Sequence, residues 1–150
     1  MTDEAVAREA IRDLVARYNA YGDGGRFEQL LELFAPDAVM VLGRRGDDER
    51  QRHEGIEEIR GIFTGVAARV TGDGGAVPDL DYVRHLTATH QIDLADADHA
   101  TGRLYFQVLT AGGLDHWGRY LDRYVRIDGR WRFAERSVTT EGWAERSAFR

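Results

Sequence analysis

An aspartate and a histidine, far apart in this sequence, stand in settings that suit acid/base chemistry. His85 falls within Tyr82-Val83-Arg84-His85-Leu86-Thr87-Ala88-Thr89-His90-Gln91-Ile92, a run of β-branched and apolar residues that reads as a strand. A histidine in mid-strand faces a core or a pocket. Asp23 lies far upstream, in Tyr21-Gly22-Asp23-Gly24-Gly25. A carboxylate that orients an imidazole fixes its tautomer and makes it a general acid/base working near neutral pH. Plainer roles exist for both residues. His85 can be a core histidine bonded to a backbone carbonyl, and Asp23 can be a turn residue capping the helix that follows. The second of these is compatible with catalysis, since a turn also holds a carboxylate still.

Other groups could join such a pair. Tyr18 lies on the apolar stripe of the first helical segment, and Tyr105, Phe106, Trp117 and Tyr120 lie in strand-like stretches. Most aromatics at such spacing are core residues. Tyr120 and Asp122 alternate with Leu121 and share a face, where Asp122 can pair with Arg103 or Arg136. Trp131 and Phe133 are expected to pack against helices. Strict alternation puts His85 with Val83, Thr87 and Thr89, and His90 on the opposite face with Leu86, Ala88 and Ile92, unless a bulge intervenes. His90 is therefore expected to be structural. His53, His99 and His116 sit in or beside turns and are expected at the surface. No His-x-His, His-x-x-x-His or HExxH spacing occurs, so no metal centre is expected.

The elements that must position these residues can be read from the pattern. The chain has 150 residues, enough for one domain over residues 1–150 with a hydrophobic core. Its net charge of −6 argues against a nucleic-acid partner, because phosphate binding needs a concentrated basic surface. Arginine supplies the positive charge and lysine is absent, which reads as genomic composition bias. The absence of cysteine excludes disulfides, zinc–thiolate sites, iron–sulfur clusters and thiol nucleophiles. The acidic N-terminus running into a helical pattern does not read as a signal peptide, and no apolar stretch has the length of a membrane helix. A soluble, cytoplasmic domain with no membrane partner is expected.

Residues 4–21 carry Ile11, Leu14, Val15 and Tyr18 at helical spacing, with Thr2 or Asp3 as cap and glycines 22, 24 and 25 as the stop. A second helix places Phe27, Leu30, Leu31 and Phe34 on one stripe and stops at Pro36. Ala38 to Leu42 reads as a short buried strand, and Gly43 to Glu54 as a surface loop. A third helix carries Ile56, Ile59, Phe63, Val66, Ala67 and Val70, with Glu57 and Glu58 in its first turn. A loop from Gly72 through Pro78 follows. Four strands are expected near 82–94, 100–111, 116–127 and 130–141, and Asp128-Gly129 is a strong hairpin signal. Helices first and then an antiparallel meander imply α+β, with helices on one face of the sheet. A curled sheet covered in this way leaves a closed-ended apolar cavity, a natural small-molecule site.

Several segments together resemble the SnoaL-like branch of the nuclear transport factor 2-like superfamily. They are Tyr18 to Leu33 with the exit Phe34-Ala35-Pro36-Asp37-Ala38, Arg84-His85-Leu86, Gly118-Arg119-Tyr120-Leu121-Asp122-Arg123-Tyr124, and Asp128-Gly129-Arg130-Trp131-Arg132-Phe133. The resemblance spans residues 4 to 142 and implies a cone: a curved, mostly antiparallel sheet with three helices packed on its concave face. Within that superfamily the chain looks most like scytalone dehydratase-type members, in which an Asp after the first helix orients a His on the sheet. Asp23 and His85 fall at those positions. The second histidine of that enzyme would fall at Thr110, and its two tyrosines at Gly22 and Leu42. Tyr18 matches the place of the oxyanion tyrosine of ketosteroid isomerase, whose aspartate base would fall at Leu42. Limonene epoxide hydrolase pairs an arginine with an aspartate two residues on, whereas Arg103 here is followed by Leu104 and Tyr105.

The resemblance implies a cofactor-independent dehydratase, lyase or isomerase with Asp23 and His85 as the catalytic pair. Its substrate would be a hydrophobic polycyclic, aromatic or terpenoid-like molecule. The pocket would draw on Tyr18, Leu42, Phe63, Tyr105, Thr110, Tyr120 and Asp122. The alternatives are a non-catalytic small-molecule-binding or assembly domain, and an epoxide hydrolase or cyclase on the same scaffold. Family members commonly cover the outer sheet face by association, so a homodimer or homotrimer is expected.

Overall fold

The computed structural model describes residues 3–71 and 82–150. The expected cap at Thr2 and the expected loop from Gly72 to Pro78 lie outside the described residues. Helix α1 spans Asp3–Asp23, α2 Phe27–Leu31 and α3 Gly55–Thr71. Strands β1 to β6 span Phe34–Arg44, Gln51–Glu54, Arg84–Leu94, His99–Thr110, Gly113–Ile127 and Arg130–Trp143. They form one curved, unclosed sheet in the order β2-β1-β6-β5-β4-β3. The β3-to-β6 meander is antiparallel throughout, whereas β1 runs parallel to β6. The sheet is thus mixed at a single pairing.

Binary patterning explains which face is buried. Along β4 exposed and buried residues alternate almost without exception, which puts Ala100, Leu104, Phe106 and Val108 inward. These side chains meet Ile11, Leu14, Val15 and Tyr18 of α1, Leu30 and Leu31 of α2, and Ile59 and Phe63 of α3 in one core. All three helices therefore cover the same face. The β5–β6 hairpin turns on Asp128 and Gly129, at φ +49° and +75°, the double left-handed geometry that Asp-Gly favours. At Gly118 a side chain would strike the Thr139 carbonyl and the Phe106 ring. The bare backbone there lets Phe106 stack on Tyr120 at 4.7 Å.

Two expected elements differ. The second helix ends at Leu31, and Phe34 starts β1 opposite Phe133, with ring centroids 5.1 Å apart. Sheet pairing overrides the helical stripe, and Pro36 is taken up in an irregularity of the β1–β6 register between Phe34 and Val39. The expected loop from Gly43 to Glu54 contains the end of β1 and all of β2. β2 is a short polar edge strand with no apolar alternation to betray it.

Candidate active site

Asp23 is the last residue of α1, and the chain reverses just after it through Gly24 and Gly25, the latter at φ +68°. Its side chain does not cap α2, whose N-cap position is Arg26 with no side-chain cap bond. It reaches the start of β3 instead. The His85 backbone N–H donates to Asp23 Oδ2 at 2.9 Å, and His85 Nδ1 lies 2.6 Å from Oδ1. Both carboxylate oxygens are thus engaged by one residue, and the side chain of Asp23 is only 9% exposed. A carboxylate accepts the Nδ1 proton, so the neutral ring carries its lone pair on Nε2, on the opposite side of the ring.

His85 and Asp23 both line a cavity of about 1000 Å³ between the helices and the sheet, open on one side. Tyr18, Leu42, Phe63 and Tyr120 also line it. Three other residues expected there do not. Tyr105 is on the outer face and 45% exposed, because β4 alternation turns Phe106 inward. Thr110 is buried at the end of β4, where its hydroxyl accepts the Gly112 N–H. Asp122 is buried on the inner face but does not line the cavity, and two hydrogen bonds from Arg136, at 2.9 and 2.7 Å, hold it.

Arg136 is fully buried and sits 4.2 Å from the Tyr18 ring, 4.0 Å from Tyr120 and 4.3 Å from Phe133. Burial opposes its charge, but Asp122 outweighs that and raises its pKa, so it remains a cation. Burial also raises the pKa of Tyr18 and Tyr120, which keeps both phenols protonated beside the cavity.

The neighbouring histidines depart from expectation. Thr89 adopts φ +55° and the β3–β4 register slips between Ala88 and Gln91, so His90 returns to the inner face with His85. It does not line the cavity. Tyr124 donates to Asp122 at 2.8 Å and accepts from His90 Nε2 at 3.1 Å, which gives His90 a structural place. His99 is exposed, as expected. His116 is not: its side chain is 15% exposed and borders the cavity. Its Nδ1 lies 2.7 Å from Asp115 Oδ1. Proximity to the Gly112-Gly113 turn suggests exposure, but His116 has the strand parity of Gly118, Tyr120 and Asp122 and pairs with inward Val108, and the C-terminal segment covers Asp115. The adjacent Asp115-His116 pair was the available sequence signal. Among the described residues no cluster of three or more His, Asp or Glu side chains is arranged to hold a metal, and no helix is long and apolar enough to cross a membrane.

The family model described as a SnoaL-like domain matches residues 3–137. No curated protein matches the sequence. Similar solved structures include a candidate scytalone dehydratase from Novosphingobium aromaticivorans DSM 12444. It is 18% identical, with a TM-score of 0.75 over 95% of this chain and 89% of that one. The hexachlorocyclohexane dehydrochlorinase LinA-type3 from Novosphingobium barchaimii LL02 is also 18% identical, with a TM-score of 0.71 over 95% and 91%. An NTF2-like protein with a cystatin-like fold from N. aromaticivorans is 24% identical, with a TM-score of 0.68 over 89% and 80%. These likenesses are of fold.

Proposed function

The chain belongs to the SnoaL-like domain family, and on that premise we propose that it is a cofactor-independent lyase or isomerase in which Asp23 and His85 form the acid/base pair. The observation that carries this reading is the two-point grip of one carboxylate on His85, at 2.9 and 2.6 Å, on the wall of a cavity of about 1000 Å³. The dehydratase and dehydrochlorinase names among the similar structures support elimination as the reaction class.

In such a step the neutral Nε2 of His85 takes a proton from a substrate carbon. The C–H electron pair becomes the new π bond, and the bond to the leaving group on the next carbon breaks, its electrons departing with that group. When the leaving group is hydroxide, the imidazolium returns its proton to it and water is released. Asp23 holds the Nδ1–H tautomer and stabilises the imidazolium. Tyr18 and Tyr120, kept protonated by burial, are the available donors to an oxygen that gains charge. The lining is rich in Leu, Val, Phe and Tyr, which suits a hydrophobic polycyclic, aromatic or terpenoid-like molecule.

Nitrobenzisoxazole tests the reading without knowledge of the natural substrate. A base removes its carbon-bound proton, the N–O bond breaks, and a coloured cyanophenolate forms. His85→Ala is expected to lower the rate by about 10²–10⁴. Turnover within threefold of wild type in a folded His85→Ala protein overturns the assignment.

A further inference from the structure

Two histidines, each paired with an aspartate, line the cavity. His85 is opposite Val108 in the β3–β4 register, and Val108 is opposite His116 in the β4–β5 register. The two histidines therefore stand in one row across three adjacent strands, with Val108 between them. Two strand spacings put their Cα atoms about 10 Å apart. All three residues line the cavity. Each histidine has Nδ1 on a carboxylate, at 2.6 Å for His85 and 2.7 Å for His116. Two imidazoles, each held at Nδ1 with Nε2 left free of the carboxylate, thus line one cavity.

The second pair is built with the C-terminal segment. Asp115 is nearly inaccessible and accepts from Ser147 Oγ at 2.7 Å and the Ala148 N–H at 2.6 Å as well as from His116. The Ala144 N–H donates to the Asp115 carbonyl at 2.7 Å. Phe149 packs on the His116 ring, with centroids 5.4 Å apart, and itself lines the cavity. These C-terminal residues lie beyond the stretch that the family model matches.

We propose that His116, positioned by Asp115 and the C-terminal turn, is the cavity's hydroxyl-recognising residue. The substrate would then bear a hydroxyl, held at His116 while His85 works on a carbon elsewhere in the same molecule. This rests on the cavity's being the substrate site. Both groups have the protonation states that the role needs. Burial opposes ionisation of Asp115, but its hydrogen bonds from Ser147, His116 and Ala148 prevail and hold its pKa below the usual carboxylate value. Burial lowers the pKa of His116 despite the opposing pull of Asp115, so Nε2 is an unprotonated acceptor at neutral pH.

Binding of β-naphthol and of its methyl ether, measured by calorimetry, separates this role from packing. The two ligands share the naphthalene ring and the oxygen and differ by one methyl group, and only the naphthol donates a hydrogen bond. Wild type is expected to prefer the naphthol by roughly threefold to tenfold. That preference is lost in His116→Phe and kept in His85→Phe. If it survives in His116→Phe, or disappears only in His85→Phe, the proposal is overturned. Nitrogen-15 NMR of the wild-type protein decides independently of whether the variants fold. β-Naphthol should move the His116 Nε2 resonance and the ether should not; equal shifts, or none, also overturn it. Because nitrobenzisoxazole has no hydroxyl, the turnover test of His85 and this binding test can fail separately.

Discussion

Replacing Asp23 with Asn changes one atom and removes either function or fit. The carboxylate accepts two hydrogen bonds from His85, one from the backbone N–H at 2.9 Å and one at Nδ1 at 2.6 Å. An amide has one acceptor and one donor end. If its oxygen keeps the backbone N–H, its NH₂ points at Nδ1, which must then give up its proton. The proton moves to Nε2, and the base facing the cavity is gone. If its oxygen keeps Nδ1–H instead, the NH₂ meets the backbone N–H, and two donors confront each other at a site only 9% exposed. A buried unsatisfied polar group costs about 1–3 kcal/mol. Either arrangement is expected to lower nitrobenzisoxazole turnover, by about 10²–10⁴ in the first. The loss of a charge-assisted bond should also lower stability by about 1–2 kcal/mol, or roughly 3–8 °C in Tm for a chain of this size. Turnover is followed by phenolate absorbance at a temperature where circular dichroism shows the variant folded. A folded Asp23→Asn protein with turnover within threefold of wild type refutes the argument that the carboxylate sets the tautomer.

Stability is expected to fall on acidification. Burial lowers the pKa of His90 and of His116 from the ordinary 6.5, so below about pH 6.5 the unfolded chain takes up protons that the folded one refuses. Their contribution is complete above that pH and is lost as pH falls through the lowered values; Asp115, also lowered, acts in the same direction in more acid solution. A Tm that stays level from about pH 7 to about pH 5 contradicts this. Arg136→Met leaves Asp122 buried beside Tyr124 without its cation and should destabilise by about 3–5 kcal/mol, with Asp122→Asn in the same chain recovering part of the loss. Thermal melts of the single and double variants check it, and a drop under about 3 °C for the single variant speaks against a structural ion pair. On the outer sheet face Leu86, Tyr105, Trp117 and Leu121 are exposed on neighbouring strands, and a second copy of the chain is expected to cover them. Light scattering should show a dimer or trimer that Leu121→Asp weakens; a monomer at high concentration excludes it.

Several features were legible because local chemistry and periodicity decide them. The stripe Ile11, Leu14, Val15, Tyr18 makes α1, the spacing from Ile56 to Phe63 makes α3, and Asp128-Gly129 makes its hairpin. The helices-then-strands order leaves little but a sheet covered on one face. His85 stood out as a histidine in mid-strand, and Asp23 as the carboxylate that the family resemblance sets against it.

The rest is settled by contacts between residues distant in sequence. Phe34 fits a helical stripe as well as a strand, and only its partner Phe133 decides the matter. A one-residue slip inverts every side chain beyond it, so the irregularity at Thr89 moves His90 inward. That slip is not written in the residues that undergo it. The sequence by itself determined α1, α3, the antiparallel meander and the choice of Asp23 and His85 as the pair to look for. Only the tertiary structure decided that Asp23 grips His85, that Asp122 belongs to Arg136, and that the C-terminal turn brings a second Asp–His pair to the same cavity. Side-chain type and period are properties of the local chain, whereas register and the closing of 62-residue separations are properties of the whole sheet.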